Sequence, residues 1–118
     1  MKRIGDQGEE LVAQQLADRG FCILARNYRK QYGEIDIVAS RGNTLAFVEV
    51  KVRAPSAFGF GHLVPIGKQR KISMVAREYL GQHNITDKVC QFDVALLEYR
   101  SGHLSLYEYV DNAFVCAD

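Results

Sequence analysis

No run in the sequence approaches the ~20 consecutive apolar residues of a bilayer-spanning helix, so no such helix is expected. The opening MKRIGDQGEELV passes straight into a helical pattern and lacks the apolar core of a signal peptide. A cytoplasmic protein without membrane attachment is therefore expected. Cysteine is scarce: Cys22, Cys90 and Cys116 are an odd set without CxxC spacing. They read as reduced, mostly buried thiols, not as a disulfide framework or zinc site. His62, His83 and His103 are scattered without ligand spacing, so no structural metal is expected. The stretch AFGFGHL lacks the closing Gly-Lys-Ser/Thr of a P-loop. With no repeat, linker or low-complexity segment, residues 1–118 read as one domain. A chain this long buries roughly two-thirds of the surface its unfolded form exposes.

Charge is also nearly absent as a net quantity, at +1, but its distribution is uneven. From Lys51 to Arg77 the cations Lys51, Arg53, Lys68, Arg70, Lys71 and Arg77 meet no Asp or Glu. Arg26, Arg29 and Lys30 form a second group, whereas the segment after Asp87 is mostly acidic. Such polarity suits either a phosphate-facing side or ordinary solvated faces.

The apolar pattern gives an order of elements. Ile4, Leu11, Val12 and Leu16 recur at roughly helical spacing, with Gly20 as a stop, for a helix from about Gly5 to Arg19. FCILARNYR is a short strand, followed by the two strands of GEIDIVASRGNTLAFVEVKVR. Beyond APSAFGFGHLVP, the positions Ile66, Ile72, Val75, Ala76, Tyr79 and Leu80 mark a second helix ending near Gly81. VCQFDVALLEY and HLSLYEYV pair across Ser101-Gly102. The expected fold is α/β, in the order α-β-β-β-α-β-β, with a mixed sheet flanked by helices.

The second and third strands carry charges where a small protein keeps its sheet. A two-residue loop at Gly42-Asn43 sets Asp36 across from Glu49 and Glu34 across from Lys51. Directly opposed residues have Cβ atoms only ~4.5–5.5 Å apart. All four would share one face, with Ile35, Ile37, Val48, Val50 and Val52 on the other as core. Facing carboxylates repel, and either a proton or a cation between them relieves the clash. Mg²⁺ suits such a pair, since it binds through one or two carboxylates, waters and substrate phosphates. Lys51 would project beside it, and the chemistry suggested is phosphodiester hydrolysis. A half-exposed hairpin also alternates charged and apolar residues for purely structural reasons, with Glu34–Lys51 as a cross-strand ion pair.

The pattern D-x₁₂-E-V-K across adjacent strands, after a helix bearing Glu9, resembles the PD-(D/E)XK nuclease superfamily. GDQGEELVAQQLADRGFCILARNYR, GEIDIVA, FVEVKVR and GKQRKISMVAREYL together resemble the YraN family of bacterial nuclease-like proteins, akin to archaeal Holliday-junction resolvases. The resemblance implies a restriction-endonuclease-like α-β-β-β-α-β core and cleavage of DNA dependent on Mg²⁺ or Mn²⁺. It implies Asp36, Glu49 and Glu9 as metal ligands and Lys51 as the catalytic lysine, with Glu10 the alternative to Glu9. The superfamily's proline is replaced by Ile35, and Gln69 is followed four residues on by Ser73 where some related nucleases have tyrosine.

Lys68, Gln69, Arg70, Lys71 and Arg53 are the expected DNA contacts, helped at the start of the second helix by its dipole. Phe58, Phe60 and His62 suit either a flap beside the site or a simple surface connection, and Asp93 reads equally as a buried capping or ion-pair partner or as a site residue. The expected function is that of a metal-dependent endonuclease on branched or single-stranded DNA, as a homodimer or with a protein partner. The alternatives are a nucleic-acid-binding module without turnover and a subunit of a DNA-processing complex.

Overall fold

Gly8, Val12 and Leu16 fall on one stripe of the first helix, and it is this stripe that is buried. The computed structural model describes residues 3–54 and 64–116. Phe58, Phe60 and His62 lie outside them. The elements are α1 (Ile4–Asp18), β1 (Cys22–Lys30), β2 (Gly33–Arg41), β3 (Thr44–Arg53), α2 (Ile66–Gln82), β4 (Val89–Arg100) and β5 (His103–Phe114). They match the order expected from the sequence, with both helices and both hairpin turns in place.

The five strands form one mixed sheet in the order β1-β2-β3-β4-β5. Among the described residues, only β3 and β4 run parallel, because α2 carries the chain back between them. One helix covers each face. Val12 and Leu16 of α1 pack with Ile37, Ala39, Ala46, Val48, Ala95 and Leu97. Ile72, Val75, Ala76 and Tyr79 of α2 pack with Val38, Leu45, Phe47, Phe92 and Val94. The central strands are therefore apolar on both sides over much of their length. Both helices end in paired backbone bonds of the Schellman type: Phe21 N–H to Leu16 O after α1, and Ile85 N–H to Leu80 O after α2.

The β2–β3 turn is the two-residue loop expected, with Arg41 paired to Thr44. Gly42 has φ +57°, which suits the first central position of a tight hairpin turn. Three expectations need correction. The ladder runs from Arg41/Thr44 to Ile37/Val48 and stops there, so Asp36 and Glu49 lie just beyond the last pair. Glu34 is opposite Arg29 of β1, not Lys51, and its Oε2 lies 3.0 Å from that guanidinium. The division into one charged and one core face also fails: Val38, Leu45 and Phe47 share the face expected to be charged and are buried under α2. Ile35 joins this α2-side cluster while Ile37 joins the α1-side one, so the alternation of faces breaks at Asp36. The cysteines, expected to be mostly buried, are all exposed and free.

Candidate active site

Where the β2–β3 ladder stops, the backbone N–H of Val50 needs an acceptor that β2 no longer supplies. Asp36 provides it, with Oδ2 at 2.7 Å. The Asp36 side chain thus takes over a ladder position, and the strands part around a buried carboxyl group that is 8% exposed. Burial, and then the negative charge of Glu49, push its pKa up to about 7, against the lowering effect of the Val50 bond. Glu49 is itself only 7% exposed. Its Oε1 lies 2.6 Å from Nζ of Lys68, which reaches down from the first turn of α2.

Lys51 is half-buried two residues farther along β3. Burial lowers its pKa, as does the positive charge of Lys68, while Glu49 and Asp36 act in the opposite sense. Glu9 sits on the α1 side with its side chain 12% exposed, whereas Glu10 is exposed. Glu9 is therefore the acid that turns toward the sheet. Burial raises its pKa, against the lowering effects of a hydrogen bond with the Asn27 side chain and of the Arg26 charge. Its Oε1 is buried without a hydrogen-bond donor, and the nearest guanidinium nitrogen, on Arg26, is 4.0 Å away. Glu9 does not close a three-carboxylate shell with Asp36 and Glu49. Among the described residues, no group of three or more His, Cys, Asp or Glu could hold a metal by protein ligands alone.

Asp36, Glu49 and Lys68 open onto a cleft of about 380 Å³, walled also by the β1–β2 turn through Arg29, Lys30, Gln31, Tyr32, Gly33 and Glu34. Tyr32 donates a hydrogen bond to Glu78 and so ties this turn to α2. The basic wall formed by Arg29 and Lys30 appeared in the sequence only as a cluster of cations before the hairpin. Its place here depends on how β1 folds back on β2. Of the expected DNA contacts, Lys68 stands in the cleft, Arg70 and Lys71 are exposed on α2, and Arg53 is half-buried at the end of β3. Gln69 is turned elsewhere: Nε2 donates to Val64 O at 2.9 Å and braces the entry to α2.

Asp93, left open as cap or site residue, is a cap. It is 1% exposed, and its oxygens accept from Gln91 Nε2 at 3.1 and 3.0 Å, from the Tyr109 hydroxyl at 2.6 Å and from Asn112 N–H at 3.0 Å. It holds the irregular stretch of β5 where the register between β4 and β5 shifts, from Phe92/Phe114 to Val94/Val110. Burial and the bond to Asp93 push the Tyr109 hydroxyl far up in pKa, so it remains the donor.

A family model described as "Uncharacterised protein family UPF0102" matches residues 8–97. A UPF0102 protein of Synechococcus sp. (strain JA-3-3Ab) is 38% identical, over 97% of this chain and 91% of its own. One from Dictyoglomus turgidum is 38% identical, over 96% of this chain and 98% of its own. One from Geotalea daltonii reaches 40%, over 96% and 90%. None of these names states an activity. The chain belongs to the UPF0102 family, which is the YraN family that its motifs resemble.

Proposed function

We propose that the cleft hydrolyses phosphodiester bonds in DNA with a divalent cation, Mg²⁺ or Mn²⁺, held by Asp36 and Glu49. The observation that carries this reading is Asp36. Asp36 has one hydrogen-bond donor, and its burial, then the negative charge of buried Glu49, keep a proton on it up to about pH 7. Hard oxygen donors in such a pair fit a small dication, which takes one or two carboxylates and leaves its other positions to water and substrate. When bound, it would supply Lewis acidity and charge neutralisation at the phosphate.

The remaining roles fall to the chain's own side chains. Asp36 is held in place through the Val50 N–H, and Glu49 by its position in a strand paired to β4. Lys51, with its lowered pKa, is suited to holding or giving up a proton at Nζ beside the reacting phosphate. Glu9 contributes negative charge from behind and is not counted as a ligand. Arg29, Lys30 and Lys68 in the cleft and Arg70 and Lys71 outside it would meet the backbone of DNA. Branched or single-stranded DNA is the substrate class, on the strength of the family resemblance. A homodimer or partner would supply the second site that a two-strand cut needs, and the protein would act in the cytoplasm.

The second reading, a DNA-binding module without turnover, is favoured by the Lys68–Glu49 contact, which satisfies a carboxylate without any metal. Incubation with Mn²⁺ or Mg²⁺ and duplex, single-stranded, flap and four-way DNA separates the two. Cleavage that disappears in Asp36→Asn and Glu49→Gln supports the nuclease. Binding without cleavage on every substrate supports the module.

A further inference from the structure

The two halves of the Lys68–Glu49 ion pair are unequal. The carboxylate side chain is 9% exposed and built into β3, whereas the lysine side chain is 46% exposed. A lysine head on a flexible four-carbon stem can turn to water at small cost, but a strand-borne buried carboxylate cannot follow it. The turn that carries Lys68 is well held: Gln69 Nε2 binds Val64 O, and Gln69 N–H binds Pro65 O at 2.9 Å. No acidic residue lies in the first turn of α2 and no side chain caps it, so no acid of that turn competes with Glu49 for the ammonium group. From this position the charge of Lys68 also lowers the pKa of Lys51, after the larger effect of burial.

We propose that Lys68 is a built-in, exchangeable counter-cation for Glu49. It occupies the carboxylate before a divalent cation arrives, and passes to a substrate phosphate when that cation takes its place. The proposal rests on the metal reading of the cleft and deepens it. Metal and DNA then assist each other through one side chain, since each favours the state in which Lys68 has left Glu49. By linkage the assistance is equal in both directions. Lys68 is in these terms a positioning residue that sets how tightly the free protein holds its metal.

The test is a Mn²⁺ titration of the full chain without DNA, read by calorimetry and by melting temperature. Wild type, Lys68→Met, Lys71→Met and the double variant Asp36→Asn/Glu49→Gln are compared. Lys68→Met should melt lower than wild type without metal, because Glu49 is left buried and unpaired. Yet it should bind Mn²⁺ about fivefold or more tightly, since no ion pair has to be broken first. Lys71→Met removes the same charge from the same helix and should shift affinity far less. A Lys68→Met affinity no tighter than that of Lys71→Met overturns the proposal. If wild type still loses Mn²⁺ binding in the double variant, that result leaves the metal reading standing. If neither wild type nor Lys68→Met binds Mn²⁺, the proposal and the metal reading fall together.

Discussion

Two aspartates are buried in the central strands, and they differ in almost everything except burial. Asp93 is surrounded by donors: an amide, a phenol and a backbone N–H. Asp36 has one backbone donor and a second carboxylate for company. A buried acid whose oxygens are all engaged holds a fold together, because removing it strands its donors. A buried acid left short of donors is a standing demand for a proton or a cation. Burial marks both; only the number and sign of the partners separate structure from chemistry.

The comparison breaks most sharply on activity. Under the nuclease reading, Asp36→Asn, Glu49→Gln and Lys51→Ala should each lower cleavage by at least ~10²-fold, the scale of losing one electrostatic contributor. Asp93→Asn should leave cleavage per folded molecule near that of wild type. Single-turnover rates on the best substrate of the DNA panel decide it, and unchanged rates in the first three would end the catalytic reading.

Stability should show the reverse order. Asp93→Ala strands the Tyr109 hydroxyl and the Asn112 N–H, and should cost about 3–4 kcal/mol in chemical denaturation. Asp36→Asn should leave apo stability unchanged or raise it above pH 7. Equal losses in the two variants would show that Asp36 too is merely structural.

The pH dependence sharpens the contrast. The folded protein holds a proton on Asp36 up to about pH 7, whereas the unfolded chain releases it near pH 3.8. Between these values the folded state binds more protons, so stability must fall as pH rises through that window, by up to about 4 kcal/mol. Asp36→Asn should flatten this decline, as measured by urea midpoints from pH 4 to pH 8. An undiminished slope would mean that another group titrates there.

Smaller still is the response to metal in the wild type. Mn²⁺ at a hundred times its dissociation constant should add ~2.7 kcal/mol, a rise of several degrees in melting temperature. Asp36→Asn/Glu49→Gln should abolish the rise, and Asp93→Asn should keep it. An equal shift in the double variant would place the metal elsewhere. On the DNA side, Lys71→Ala should lower the salt dependence of binding by about one unit of slope, equally for every sequence.

Much of this was readable from residue order. Periods of 3.6 and 2 placed α1, α2 and the strands, and Gly42-Asn43 fixed the hairpin and with it the nearness of Asp36 to Glu49. The sequence could not show that the Asp36 side chain would replace a strand as acceptor for Val50, which ends the ladder early. Nor could it pair Glu34 with Arg29, because that needs the register of β1, whose strand contains an asparagine at φ +52°. The contact of Lys68 with Glu49 depends on the path of α2 over the sheet, so the residue order shows its positive charge but not its partnership with the acid. The cysteines were misjudged because general burial statistics ignore position. Cys22 opens β1, Cys90 is the second residue of β4 and Cys116 follows the last strand, and all three are exposed.

Gly8, beside Glu9, governs how far α1 stands from the sheet. A Cβ there would come within 2.8 Å of Leu97 Cδ1 and 3.1 Å of Val52 Cγ2. The helix is seated by a missing atom, and the depth of Glu9 is gauged by its neighbour's lack of volume. Even one added methyl group would act as a shim, lifting the helix and drawing Glu9 away from Asp36 without altering a single charge. The acidic cluster is therefore tuned mechanically as well as chemically, and an engineer could retune it without touching an acid.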